Sequence, residues 1–182
     1  MRVSKHVTAA PENQPRMTGS PPPVPGETAQ WVVFAVDAGR YALPLATVTR
    51  VVRAAQVTTL PLAPAIVLGA IDVEGQVLPV FNLRRRFGLR ERPVDPADQF
   101  LIARGAQRLV VLVIDTVLGV IEHPTTEMIE SARLAPDLAH IRGVIALQDG
   151  LVLVQDLEQF LSPDEVSVLN RAMNDADATP AD

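Results

Sequence analysis

Shifted by 74 residues, the sequence falls on itself without a gap. Gly69 meets Gly143, Ile71 meets Ile145, Val73 meets Leu147, Val77–Val80 meets Leu151–Val154, and Asn82-Leu83 meets Asp156-Leu157. The upstream segments also correspond, at a slightly smaller offset: Arg40 lies over Arg108 and the Val48 region over the Val117 region. A duplication of this kind restricts the fold to two related units of about 70 residues, each marginal in size alone and stabilised by packing against the other.

Each unit reads as short strands. Trp31–Val36 and Tyr41–Leu43 flank the turn residues Asp37-Ala38-Gly39-Arg40, which predicts a hairpin. Leu68–Leu83 reads as two strands joined at Glu74-Gly75, and Phe100–Ile114 as a hairpin turning at Gly105-Ala106-Gln107. The unbroken apolar run Leu109–Ile114 is typical of a strand covered on both faces. Apolar residues at 45, 48, 51 and 52 have helical spacing, so one or two helical turns are expected over Leu45–Val52, with another turn after Asp115. Pro79, inside an apolar strand, implies an edge, a bulge or a strand start. Ser162, Pro163 and Glu165 form the start signal of a helix whose Val166, Leu169 and Met173 share a face. The resulting division is a Pro-rich tail over 1–29, a β domain over 30–161 with subdomains near 30–92 and 97–161 whose strand order is open to interleaving, a helix over 162–174 and a frayed end over 175–182. The tail holds Pro11, Pro15, Pro21, Pro22, Pro23 and Pro25 and too little apolar surface to offset its ordering entropy.

Composition narrows the chemistry. Hydrophobic residues are 48% and aromatics 4%, so the core is aliphatic and rich in β-branched residues. The net charge of -5 argues against nucleic acid, which requires a clustered basic surface. With no cysteine there is neither disulfide nor thiolate chemistry. The longest apolar tract, Leu109–Ile121, is interrupted by Asp115, Thr116 and Gly119 and falls short of the ~20 residues a spanning helix requires. Without a secretory signal, a cytoplasmic protein is expected.

No catalytic constellation is apparent. His6, His123 and His140 are isolated, and no metalloprotease helix motif, phosphate loop or dinucleotide fingerprint is present. His123 is expected to be a solvated loop residue. Asp37 and Asp156 are read as turn residues, and Asp115 as the cap of the turn that follows it. Arg84-Arg85-Arg86, with Arg90 and Arg92, is read as a solvated or partner-facing basic patch. No cofactor, metal or turnover is expected.

Residues 64–84 read PAIVLGAIDVEGQVLPVFNLR. This stretch resembles the signature of the CheW family of chemotaxis coupling proteins, which typically runs P…G-x-x-N-x-R-G-x-x-x-P-x-x-D-L-R. Pro64, Gly69, Gly75, Pro79, Leu83 and Arg84 match in position. The resemblance extends from about Trp31 to Leu161 and includes Tyr41, Val113–Val117, Asp156-Leu157 and Phe160-Leu161. It implies a mainly β fold of two five-stranded, SH3-like β-barrels with short helical segments and a C-terminal helix. It further implies a non-catalytic adaptor whose inter-barrel groove holds the cytoplasmic tip of a chemoreceptor. The outer barrel ends would pair with the regulatory domain of a CheA-type histidine kinase. Val48, Arg50, Val51, Glu74, Gly75 and Arg84 are the candidate partner-binding residues.

Four positions depart from the pattern. Glu74 stands where an Arg is usual and Arg50 where a Glu is usual; Asp72 replaces an Asn and Asn82 an Asp. Both exchanges are reciprocal, which predicts kept contacts of reversed polarity, with Arg50 and Glu74 close together. The pathway, whether flagellar, twitching or surface-sensing, is left open. The alternatives are a ligand- or peptide-sensing β module acting without a kinase, and an enzyme of unknown class.

Overall fold

The computed structural model describes residues 28–130 and 140–177; the expected Pro-rich tail falls almost wholly outside them. Eleven strands are described: β1 (Thr28–Val36), β2 (Gly39–Pro44), β3 (Val48–Arg53), β4 (Val67–Val73), β5 (Gln76–Phe81), β6 (Gln99–Arg104), β7 (Leu109–Ile114), β8 (Thr116–Pro124), β9 (Ile129–Glu130), β10 (Ile141–Leu147) and β11 (Gly150–Gln155). Helix α1 (Leu83–Arg86) is a single turn and α2 (Pro163–Asp177) closes the described chain.

The strands form two sheets. One has six strands in the order β8-β1-β2-β11-β10-β9, the other five in the order β3-β6-β7-β5-β4. Within each, one neighbouring pair is parallel, β11 with β2 and β5 with β7, and the rest are antiparallel. Neither sheet comes from one contiguous half of the chain. Strand β3 leaves the first hairpin to pair with β6, and β8 returns to pair with β1.

The duplication is visible in backbone detail. Hairpins β4–β5 and β10–β11 each carry an irregularity 74 residues apart, between Val67 and Gly69 and between Ile141 and Gly143. Asn82 N donates to Ile66 O at 2.8 Å, and Asp156 N donates to His140 O at 2.9 Å. Bulges recur in β3, between Val48 and Arg50, and in β8, opposite Val33/Phe34 of β1. Gly69 and Gly143 mark the tightest approaches to another backbone. A Cβ at Gly69 would overlap the Thr58 carbonyl, and one at Gly143 would lie 2.7 Å from Ile129 O.

Three apolar clusters follow from strand alternation. Val32, Phe34 and Val36 of β1 and Val110, Leu112 and Ile114 of β7 face a central core between the sheets. The opposite faces find cover within their own sheet: Trp31, Val33, Ala42, Ile145, Val152 and Val154 in one, Ile71, Leu78, Val80, Phe100, Ile102 and Val111 in the other. Each sheet is therefore curled, and β7 is apolar on both faces because both are covered.

Several expectations are corrected. Of the Leu45–Val52 helical segment only a 3-10 turn, Leu45–Thr47, exists; Val48–Arg53 is strand. No helical turn follows Asp115, where β8 begins at once. β5 is not an edge strand: it lies between β4 and β7, and Pro79 fits because pairing with β7 starts one residue later, at Val80. Helix α2 has the expected capping box, Glu165 N donating to Ser162 Oγ at 3.2 Å and Ser162 N to Glu165 Oε2 at 2.8 Å, but it runs to Asp177. It buries Leu169, Ala172 and Met173 in the central core.

Candidate functional site

Arg50 lies beside the bulge of β3, and Glu74 in the two-residue turn of β4–β5. These strands are opposite edges of the five-stranded sheet, yet Arg50 Nη1 donates to Glu74 Oε1 at 2.7 Å. The curl of the sheet brings the pair together, as the reciprocal exchange predicted. The turn has positive φ at both residues, 57° at Glu74 and 82° at Gly75, and Asp72 Oδ1 accepts from Gly75 N at 2.7 Å. Gly75 suits this geometry, whereas Glu74 adopts it at some cost. The Arg50 hydrogen bond, followed by its charge, holds the Glu74 carboxyl below its ordinary pKa. Arg50 and Glu74 border a surface recess with Thr49, Val73, Gln76 and Ile102. Val51 is exposed beside them and Val48 packs against the central core.

The second exchange is not a contact. Asp72 lies at the turn end of the hairpin, opposite Val77, whereas Asn82 follows Phe81 at the other end. Each has its own local task. Asn82 caps α1 by accepting from Arg85 N and donates to Glu91 Oε2 at 3.0 Å, which an ionised Asp could not do.

Most of the arginine cluster is paired with carboxylates rather than free in solvent, although Arg85, Arg90 and Arg92 stay exposed. Arg84, 12% exposed, donates to both carboxylate oxygens of Asp115, at 2.5 and 2.8 Å, and lies 3.8 Å from Asp37. Arg92 donates to Asp115 at 3.0 Å and to both oxygens of buried Asp98 at 2.6 and 2.8 Å. Asp115 also accepts from Asp37 N at 2.7 Å. The network ties the β1–β2 turn of one sheet to α1, β7 and the 92–98 loop beside the other, so Asp115 is a junction rather than a helix cap. Arg85 pairs with Glu91, and Arg86 pairs with Glu165 while lying over the Phe160 ring. No sequence signal announced this network, because its partners are brought together only by the fold.

His123 is a strand residue with a largely buried side chain, 3.8 Å from Glu127, rather than a solvated loop residue. His140 stacks on Phe87, and burial, then the Arg86 charge, lower its pKa. Asp37 has φ 57° in its turn and Asp156 accepts from Glu158 N, so both are turn residues as expected. Among the described residues no group of His, Asp and Glu is placed to hold a metal, and no helix is long and apolar enough to cross a membrane.

The family model of the CheW-like domain matches residues 30–165. The chain belongs to the CheW-like family. It is 26% identical to the chemotaxis protein CheW of Treponema pallidum, over 82% of this chain and 91% of that one. Against protein FrzA of Myxococcus xanthus the identity is 30%, over 64% and 73% of the two chains. The fold is that of the scaffolding protein TtCheW from Thermoanaerobacter tengcongensis, with a TM-score of 0.70 at 23% identity, covering 76% of this chain and 96% of that one. CheW-like membership agrees with the resemblance read from residues 64–84. The mainly β architecture with short helical segments and a C-terminal helix is the one that resemblance implied, with sheets of six and five strands where it implied five in each.

Proposed function

We propose that this protein is a non-catalytic adaptor that couples chemoreceptors of the methyl-accepting type to a CheA-type histidine kinase in a chemotaxis-like pathway. The observation that carries this reading is the CheW-like family match across residues 30–165, which takes in all eleven strands except the first two residues of β1. The protein works from the cytoplasm, at receptor arrays on the inner membrane face. It acts by holding receptor and kinase in fixed geometry, so that the state of one biases the other. Neutralisation of Arg84, Arg85, Arg86 and Arg92 by carboxylates supports protein partners over nucleic acid.

The receptor-facing surface comprises Val48, Arg50, Val51, Glu74 and Gly75. Arg84 is withdrawn from it, so its part is indirect, through the sheet junction that it holds. Mixing the protein with the kinase regulatory domain and the receptor tip should give one ternary peak on size-exclusion chromatography. Elution apart from both partners would end the adaptor reading. At residue level, Arg50→Glu or Glu74→Arg alone should weaken binding of the cognate receptor with little change in melting temperature, because exposed ion pairs contribute little to stability. The double exchange should redirect binding toward receptors of CheW proteins with the usual polarity. Parent-like affinity of both single variants for every receptor would remove the pair from the site.

A further inference from the structure

Leu62 is the most exposed large apolar side chain among the described residues, at 83%. It also has φ 59°, the left-handed region that a leucine adopts only under strain. It occupies the third position of a turn closed by Ala63 N donating to Leu60 O at 3.4 Å, where glycine or asparagine would fit without penalty. Folding alone favours neither the residue type nor its exposure.

The turn is a rigid mount. Leu60 and Ile66 are buried on either side of it. Thr58 exchanges backbone hydrogen bonds with Ala70 at 2.9 and 2.8 Å, Val67 N donates to Pro64 O at 2.8 Å, and Arg85 donates to Ala65 O. Pro61 and Pro64 stiffen it further. No charged residue lies between Arg53 and Asp72, in a chain that is 20% charged. Depletion of charge around an apolar anchor is the composition of the centre of a protein interface.

Its position separates it from the Arg50–Glu74 pair. The loop enters β4 at Val67 and Glu74 leaves it after Val73, so about 20 Å of strand lies between the two surfaces. An adaptor holding two partners at once needs two such faces, one of them polar here and the other neutral.

We infer that Leu62 is the anchor by which this protein docks into a neutral, apolar hollow on the kinase regulatory domain. The inference rests on the adaptor reading above. Its test uses full-length Leu62→Asn and Leu62→Gly. Each is titrated calorimetrically against the cognate kinase regulatory domain and, separately, the receptor tip, with melting temperature and oligomeric state measured in parallel. Relief of the strained backbone should leave the melting temperature unchanged or raised by about 1–3 °C. Affinity for the kinase domain should fall about ten-fold or more, the loss expected from a buried leucine side chain. Receptor affinity should stay within about two-fold. Parent-like kinase binding by both variants overturns the inference and leaves the adaptor reading intact. A marked fall in melting temperature also overturns it, by showing that Leu62 serves the fold. Loss of receptor binding instead, or of a parent dimer, assigns the anchor to another occupant and refutes the partner named here. Binding of neither partner by the parent overturns the adaptor reading and this inference together.

Discussion

After the second strand of each repeated hairpin the chain carries opposite charge at the matching position: Arg84, in the single-turn helix α1, in the first repeat, and Glu158, in a non-helical bend, in the second. Both sit at the junction of the two sheets. Around Arg84 the junction is ionic, with Asp115, Asp37, Arg92 and Asp98 in one connected network. The offset that relates β3 to β8 puts Ala46 where the first junction has Asp115, so the second has no counterpart carboxylate. Glu158 instead lines a recess of about 350 Å³ with Thr47, Arg104, Arg142 and Gln155. Beside it Phe160, which packs on Phe81 with ring centroids 5.8 Å apart, and α2 bury apolar surface in the central core. One junction is held by charge and the other by apolar burial, so a duplicated fold keeps its symmetry while its two seams respond to different conditions.

The largest effect should come from the apolar seam. Phe160→Ala removes a fully buried ring from the central core and should cost about 3–5 kcal/mol in urea unfolding, with little dependence on salt. A cost near 1 kcal/mol would mean that α2 and Phe160 cover the seam without holding it.

The ionic seam should be weaker. Arg84→Met leaves Asp115 half-satisfied by Arg92 and the Asp37 amide, and should cost about 2 kcal/mol. A double-mutant cycle with Asp115→Asn should give a coupling of about 1 kcal/mol or more, and an additive cycle would remove Arg84 from the junction.

That seam should also carry an acid response. Burial, the largest influence on Asp98, raises its pKa, but the Arg92 hydrogen bond and the Asp95 amide outweigh it and the net shift is downward. A carboxyl depressed in the folded state contributes stability that is complete above its unfolded value, about 4, and is lost as pH falls through the folded one. Asp98→Asn should therefore be less stable than the parent at pH 7, and the gap should narrow progressively as pH falls below the unfolded value. A gap independent of pH would contradict the assignment.

How much of this was legible depended on sequence distance. The hairpins were readable because strand and turn signals are local. The repeat was readable because both copies of the hairpin kept the glycine at the bulge, Gly69 and Gly143, and the apolar pattern that follows it. The helical turns expected at Val48 and after Asp115 are replaced by edge strands, each carrying a bulge: Val48–Arg53 pairs with β6 and Thr116–Pro124 with β1, and the bulge breaks the strict alternation that marks a strand. Arg50–Glu74 was foreseeable from its reciprocal exchange, whereas the same logic failed for Asp72 and Asn82, which lie at opposite ends of one hairpin. The Arg84 network joins residues 31 and 78 positions apart, with no pattern to link them before folding.

The smallest expected effect is the most direct test of the comparison. If the two seams are true counterparts, the missing clamp can be installed. Glu158→Arg with Ala46→Asp places at the second seam the charges that Arg84 and Asp115 supply at the first. Ala46 is exposed, in the 3-10 turn that follows β2, so an Asp there keeps its hydration and the new pair stays solvent-facing. The gain should be at most about 1 kcal/mol, as for other surface pairs, and should shrink in high salt. Ala46→Asp alone brings a second carboxylate toward Glu158 and should lose a few tenths of a kcal/mol. Glu158→Arg alone puts a third cation in the recess with Arg104 and Arg142 and should lose a few tenths of a kcal/mol. The informative quantity is the coupling between the two substitutions, measured by urea unfolding of all four proteins. A favourable coupling means that the ionic seam is a removable addition to a common joint. Strict additivity means that positions 46 and 158 do not meet, and that the seams differ in geometry as well as in charge.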